Sequence, residues 1–500
     1  MPALMMIGVD IGTTSTKAVV FTLDGKPVSH HTVEYPLLRP EPDAAEQDPE
    51  LIFAAVLDAL KVSVTQCPVT SPEFVCLSFS AAMHSLIAVD AQGRPLTASI
   101  TWADNRAAAQ AARLKASTAG AGLYRRTGTP IHPMSPLAKL CWLREERPAV
   151  FAQAARFVGI KEFVFHRLFG EWLVDHSIAS ATGLFNLEKR DWDEEALAVA
   201  GIRREQLSRL VPTAHRLPLP DLGFLPTGTP VVIGANDGVL SNLGVGAIAP
   251  GEVAVTIGTS GAMRAVVDRP VTDPSARTFC YALTERLWVV GGPVNNGGIV
   301  LRWIRDELLG SGEVSYDELT RIAERVPAGS EGLLFHPFLA GERAPLWNAD
   351  LRGSWFGLGL QHGRAHMVRS ALEGVMLNLR GLLPAVESLV GPARQIKATG
   401  GFARSGLWRQ MMADVFDREV VVPESFESSC LGAAVLGLYA LGRIESLDAV
   451  NAMVGATHRH EPVAADAEVY RQLIPIFDAL PRQLGEQYRQ LAEFQRRPRR

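Results

Sequence analysis

Several features that would send this chain elsewhere are missing from it. Its five cysteines (Cys67, Cys76, Cys141, Cys280, Cys430) are odd in number, scattered, and include no Cys-x-x-Cys pair. That pattern argues against a disulfide framework and a cysteine-held zinc, and for free thiols in a reducing compartment. No apolar run approaches the roughly 20 residues a membrane helix needs. The N-terminal run is broken by Asp10 and lacks a basic flank, so no leader is expected and a cytoplasmic location is. A net charge of −4 gives no general pull toward nucleic acid or an anionic membrane. The basic Arg496-Arg497-Pro498-Arg499-Arg500 reads as a solvated tail. Gly-x-x-x-x-Gly-Lys-[Ser/Thr] is absent too, which excludes a P-loop nucleotide site.

What is present amounts to more than one core. Five hundred residues exceed an ordinary domain, and 47% hydrophobic with 20% charged residues is globular composition, so two domains are expected. The stretch that organises them is Gly8-Val9-Asp10-Ile11-Gly12-Thr13-Thr14-Ser15-Thr16-Lys17. Apolar residues on both sides predict a buried strand, a tight turn and a second strand. Gly12 lets the backbone approach an anion, Thr13 and Thr14 add hydroxyl donors, and Lys17 adds positive charge. Asp10 has the wrong sign for phosphate unless a cation intervenes, which suggests Mg²⁺ held largely through water.

The pattern returns as Val255-Thr256-Ile257-Gly258-Thr259-Ser260-Gly261, with Ile257 lying 246 positions after Ile11. Two phosphate-binding hairpins, one opening each half, imply a duplicated two-lobed fold with nucleotide between the lobes. Asp10 becomes Thr256 in the second copy, so one metal–nucleotide is expected and not two.

Between and beyond the hairpins the chain offers further chemistry. Asp48-Pro49 starts a helix whose apolar face is Leu51, Ile52, Ala55, Val56, Ala59 and Leu60. Phe74 to Ser80 is a buried strand ending near Met83-His84, where α/β sites open. Trp102 offers an apolar wall for a polyol, and Asp104, Asn105 and Arg106 offer polar partners. His132 and Met134 lie in a Pro-rich loop, Lys161 opens a helix, residues 175–187 read as a connection, and 212–226 as a surface crossover. Val231-Val-Ile-Gly-Ala-Asn-Asp237-Gly238 reads as a strand with Asp237 at the tip of a sharp turn. Gly297 and Gly298 lead into a helix from Ile299 to Leu308, a form suited to a nucleotide. Arg364 to Leu379 is a core helix.

Asp10-Ile-Gly-Thr-Thr-Ser-Thr-Lys17, Gly258-Thr-Ser-Gly261 and these later stretches resemble the FGGY family of carbohydrate kinases, from about Ile7 to about Arg443. The resemblance implies an α/β, duplicated, actin-like ATPase (ribonuclease H-like) fold with an interlobe cleft. It implies a sugar-binding lobe at 1–246 and a nucleotide-binding lobe at 247–500. Asp237 matches the family's general base, and with Asp10 it is expected near the metal. Thr13, Thr14, Lys17, Gly258, Thr259, Ser260, Gly297, Gly298 and the adenosine-segment match Gly400-Gly401-Phe402 are expected at ATP. Met83, His84, Trp102, Arg106, Asn236 and Asp237 are expected at the substrate. The Met83-His84 pair is similar to the gluconate and xylulose branches, and the gluconate kinases fit best. D-gluconate phosphorylated to 6-phospho-D-gluconate, with ATP and Mg²⁺, is therefore the expectation. Xylulokinase is the runner-up, followed by a non-catalytic actin-fold ATPase switch. A homodimer stays open, and no nucleic-acid or membrane partner is expected. For gluconate's carboxylate the basic candidates are His84, Arg106, His132 and Lys161, with Arg106 favoured for its bidentate geometry.

Overall fold

The computed structural model describes residues 3–310, 314–423, 427–455 and 457–496, so Arg497 to Arg500 of the basic tail lie outside the described residues. Packing divides the chain into two units. Unit 1 comprises Met1–Ala249, Val266–Val290 and Glu427–Gly455, and unit 2 comprises Pro250–Ala265, Gly291–Phe426 and Ala456–Arg500.

Unit 1 is built on β1 (Ala3–Ile11), β2 (Ser15–Thr22), β3 (Pro27–Glu34), β4 (Pro72–Ala81), β5 (Arg216–Pro218) and β6 (Pro230–Asn236). They form one sheet in the order β5-β6-β4-β1-β2-β3. Strands β4 and β6 run parallel to β1, whereas β2, β3 and the edge strand β5 are antiparallel to their neighbours. Met5, Met6, Ile7, Val9 and Ile11 are all buried, as expected of a central strand covered on both faces.

On unit 1's sheet packs the helix Pro49–Thr65, capped by the Asp48 carboxylate, which accepts from the Glu50 and Leu51 N–H groups. Ile52, Ala55, Val56, Ala59 and Leu60 are buried in it, but Leu51 is 49% exposed and stands off the apolar stripe. The helix Ser428–Ala440 packs on β1, β4 and the helix Asp237–Gly244. This approach is close enough to require glycine. A Cβ on Gly8 would stand 2.0 Å from the Cys430 carbonyl oxygen, and one on Gly432 would stand 2.0 Å from that of Leu240. That fit explains why a segment from late in the chain belongs to the first unit.

Two stretches expected as connections hold structure. Residues 175–187 contain the helix His176–Ser180, capped by Asp175, and the strand Phe185–Asn186. The crossover 212–226 contains β5, where the missing N–H of Pro218 is tolerated at a sheet edge.

Unit 2 repeats the plan with β7 (Glu252–Ile257), β8 (Gly261–Val267), β9 (Gln395–Thr399), β10 (Glu419–Pro423) and β11 (Thr457–His460). Within a seven-stranded sheet these five run in the order β8-β7-β9-β10-β11. Again a hairpin is followed by two parallel strands and an antiparallel edge strand. The second hairpin turn is one residue shorter, for Ile11 pairs with Thr16 but Ile257 with Gly261. The core of this unit includes the helix Arg364–Arg380, buried without a break from Val368 to Leu379. The helix expected over 299–308 is α-helical only at Gly298–Trp303 and widens to π geometry at Ile304–Leu308. The C-terminal stretch, which matched no motif, supplies Tyr470 of the helix Ala464–Gln483. Its hydroxyl donates to Glu373 at 2.8 Å.

Candidate active site

Both candidate acids emerge at the C-terminal end of unit 1's parallel strands. Asp10 on β1 and Ala235 on β6 each pair with Ser80 of β4, between them. At about 4.8 Å per strand, their backbones stand about 10 Å apart. The Ser80 hydroxyl donates to Asp10 Oδ1 at 2.6 Å. Burial pushes the Asp10 carboxyl above its ordinary range, while the Ser80 hydrogen bond and the Lys17 charge pull it back down.

Asp237 was expected at the tip of a sharp turn, but β6 passes directly into a helix there. Asp237 is the first residue of the helix Asp237–Gly244, and Asn236 is the cap, its side chain accepting from the Val239 N–H at 2.8 Å. Gly234 makes this geometry available. Its φ is +74°, the ladder with β4 shifts there, and a Cβ would lie 1.8 Å from the Phe79 carbonyl oxygen. The bulge aims Asn236 and Asp237 off the strand end. Asn236 is buried and bound to Ser177 through its backbone N–H (3.2 Å) and its side-chain amide (2.9 Å), which fixes the cap. Asp237 Oδ1 accepts from the Gly238 N–H at 2.7 Å.

The first hairpin turn closes with the Gly12 N–H donating to the Ser15 carbonyl at 2.9 Å. Thr14 is exposed and Thr13 half-buried. The Trp102 indole N–H donates to the Thr13 hydroxyl at 2.8 Å, so the expected sugar wall and the expected phosphate turn touch each other. Lys17 is paired with Glu427 at 2.9 and 3.1 Å. Burial works against its ammonium, but the Glu427 hydrogen bond and charge outweigh it and raise the pKa. Glu427 lies 410 residues away, and its part was not visible in the sequence.

His84 lies at φ +68° just past β4, with Met83 half-buried beside it. Its Nδ1 is 2.7 Å from the Ala181 carbonyl oxygen and its Nε2 is 3.5 Å from the Tyr281 hydroxyl. Arg106 is engaged with its own chain. Its guanidinium meets Asp104 at 2.8 Å, Glu41 at 2.7 Å and Glu46, and lies 4.5 Å over the Trp142 ring. The geometry that favoured Arg106 for a substrate carboxylate is used on protein carboxylates. Lys161 is likewise buried against Asp175 (2.8 Å) and the Ala235 carbonyl (3.1 Å), bracing β6 just before the cap. His132 Nδ1 accepts from the Met134 N–H at 3.1 Å.

In unit 2 the expected nucleotide residues converge. Gly258, Thr259, Gly298, Gly401 and Phe402 line one cavity of about 540 Å³, with Tyr316, Arg404 and Trp408 among the remaining walls. The hairpin turn is stitched to the glycine pair, the Gly298 N–H donating to the Gly258 carbonyl (2.7 Å) and the Ile299 N–H to that of Thr259 (3.1 Å). A Cβ on Gly297 would stand 2.6 Å from the Ser260 carbonyl oxygen. Gly400, at φ +110°, lies against the Ile257 carbonyl, where a Cβ would come to 2.2 Å. Buried Glu342 accepts from the Asn295 N–H (2.5 Å) and the side-chain amides of Asn296 (3.1 Å) and Asn378 (2.7 Å), holding the strand that leads to the glycines.

The donor set fits Mg²⁺ only in one way. Among the described residues no group of three or more His, Cys, Asp or Glu could hold a metal by side chains alone. A lone carboxylate such as Asp10 suits a cation that keeps water and takes its other ligands from phosphate oxygens. Among the described residues, too, no helix is long and apolar enough to cross a membrane.

Residues 5–244 match the N-terminal domain of the FGGY family of carbohydrate kinases, and residues 253–441 match its C-terminal domain. The gluconokinase of Bacillus subtilis (strain 168) is 55% identical over 506 residues, covering 98% of each chain. The xylulose kinase of the same organism is 26% identical over 480 residues, covering 94% of this chain and 95% of that one. The crystal structure of gluconate kinase from Lactobacillus acidophilus superposes with a TM-score of 0.93 at 36% identity, covering 98% of this chain and 100% of its own.

Proposed function

This chain belongs to the FGGY family of carbohydrate kinases, and from that premise we propose that it phosphorylates D-gluconate to 6-phospho-D-gluconate at the expense of ATP. The observation that carries the substrate is the contrast in relatives, 55% identity with a gluconokinase against 26% with a xylulose kinase. An ATPase switch without a sugar substrate has no comparable support.

In this reading unit 1 binds the sugar acid and unit 2 binds ATP in the cavity under Gly258 and Gly401. Asp237 takes the proton from the attacking terminal hydroxyl, held for that task by the Asn236 cap and the Gly234 bulge. Asp10 would hold Mg²⁺, which when bound neutralises charge on the phosphates. Thr13, Thr14 and Lys17 face the transferring group, with Glu427 steadying Lys17. Trp102, Met83 and His84 contact the sugar, and His84 is the basic residue we assign to the acid. Arg106 and Lys161 support the fold around them. Phosphoryl transfer asks the protein chiefly for positioning and charge stabilisation, and this set supplies both.

The test is phosphorus NMR of the protein with ATP, Mg²⁺ and gluconate. The expected product carries phosphate on the terminal primary hydroxyl. Asp237→Asn should slow its formation by about 10²–10⁴-fold with the circular dichroism unchanged. A folded variant within threefold of wild type would remove Asp237 from the base role.

A further inference from the structure

Lys139 is fully buried on the helix Pro136–Glu146, and no carboxylate lies within hydrogen-bonding distance of its ammonium among the described contacts. A buried ammonium is costly unless each N–H finds an acceptor. Its three N–H groups meet three backbone carbonyls, those of His84 at 2.5 Å, Met134 at 2.9 Å and Ile100 at 3.3 Å. These carbonyls come from three separate segments. One carries Met83 and His84, one leads into Trp102, and one carries His132. Nothing else described joins all three at a single atom.

We propose that Lys139 is a positioning residue that ties these three segments to one another, and so sets affinity for the sugar without touching it. The inference rests on the reading of these segments as the sugar site. Burial pushes the Lys139 ammonium down to about 7, opposed by the charge of Asp104 and aided by that of Arg106. The other titratable groups on the tied segments are the His84 and His132 rings. As pH rises through that value the amine keeps two N–H groups for three carbonyls, and one segment is released. Sugar affinity should therefore fall with rising pH while ATP affinity does not.

Two measurements on the full-length protein test this. The first is KM for gluconate and for ATP between pH 6 and 8.5, in wild type, Lys139→Gln and Lys139→Met. In wild type the gluconate KM should rise three- to tenfold across that range, with ATP KM constant within twofold. Both variants should start at least tenfold weaker for gluconate and lose most of the pH dependence, the remainder being that of His84. A wild-type profile that is flat, or one that survives largely intact in Lys139→Gln, overturns the proposal, since the titrating group would then be another. The second is hydrogen exchange at fixed pH without sugar, comparing wild type with Lys139→Gln. Residues 82–86, 100–103 and 132–136 should all exchange faster in the variant, and unchanged protection in any two of the three overturns the tie. Because exchange needs no substrate, failure to phosphorylate gluconate alongside joint loosening would instead count against the substrate reading alone.

Discussion

Arg106 shows how a single side chain changes role once its neighbours are known. Asp104, the most deeply buried of its three carboxylate partners, is 1% exposed, and the Trp142 ring lies against the guanidinium. Removing one partner of a buried pair leaves a charge without compensation, at a cost of about 3–5 kcal/mol. Arg106→Leu is thus expected to lower the urea midpoint markedly while leaving the preference for gluconate over xylulose within twofold of wild type. Loss of that preference in a stably folded variant would return Arg106 to the sugar. The Asp104–Arg106 adjacency was legible in the sequence. Glu41 and Glu46, some sixty positions upstream, were not, because no local pattern links a loop acid to a distant arginine. Glu427, 410 residues from Lys17, was hidden for the same reason.

At the level of elements, the glycines separate folding from binding. Gly234 and Gly400 occupy left-handed backbone with a carbonyl oxygen where a Cβ would go, whereas a Cβ on Gly401 would meet nothing within 4 Å. Gly234→Ala should therefore disrupt the β6–helix junction and reduce soluble yield. Gly401→Ala should fold with an unchanged melting temperature yet raise KM for ATP several-fold, with the gluconate KM unaffected. Thermal unfolding and steady-state kinetics read both, and an unaltered ATP KM would place the nucleotide elsewhere. The strands around these glycines could be read in advance, since β-branched runs bounded by Gly or Asp have few other outcomes. The helical start at Asp237 was less visible, because Asn-Asp-Gly is turn chemistry as well as a cap. The place of the helix Ser428–Ala440 in unit 1 was not legible, since that depends on Gly8 and Gly432 meeting carbonyls far away in sequence.

Across the whole molecule the duplicated plan follows the repeated hairpin, whereas the antiparallel edge strands β5 and β11 had no signal in the sequence. Stability of the whole should carry a mark of its buried acids. Burial pushes Glu162 up to about 8, against the pull of the Ser208 hydroxyl and the Gly159 N–H. The folded state therefore holds the proton longer than the unfolded chain does. That contribution is complete below the ordinary value of 4.5 and is lost as pH rises through about 8. Melting temperature should fall between pH 5 and 8.5 more steeply in wild type than in Glu162→Gln, and equal slopes would contradict the assignment. The central claim is the substrate, and a competition assay reaches it most directly. Purified protein is given ATP and Mg²⁺ with D-gluconate and D-xylulose together, and the phosphorylated products are quantified by NMR. A hydrogen bond to a charged group contributes about 1.5–3 kcal/mol, so gluconate should win by roughly ten- to a hundredfold in kcat/KM. Xylulose phosphate as the major product would contradict the account and move the chain to the xylulose branch of its family.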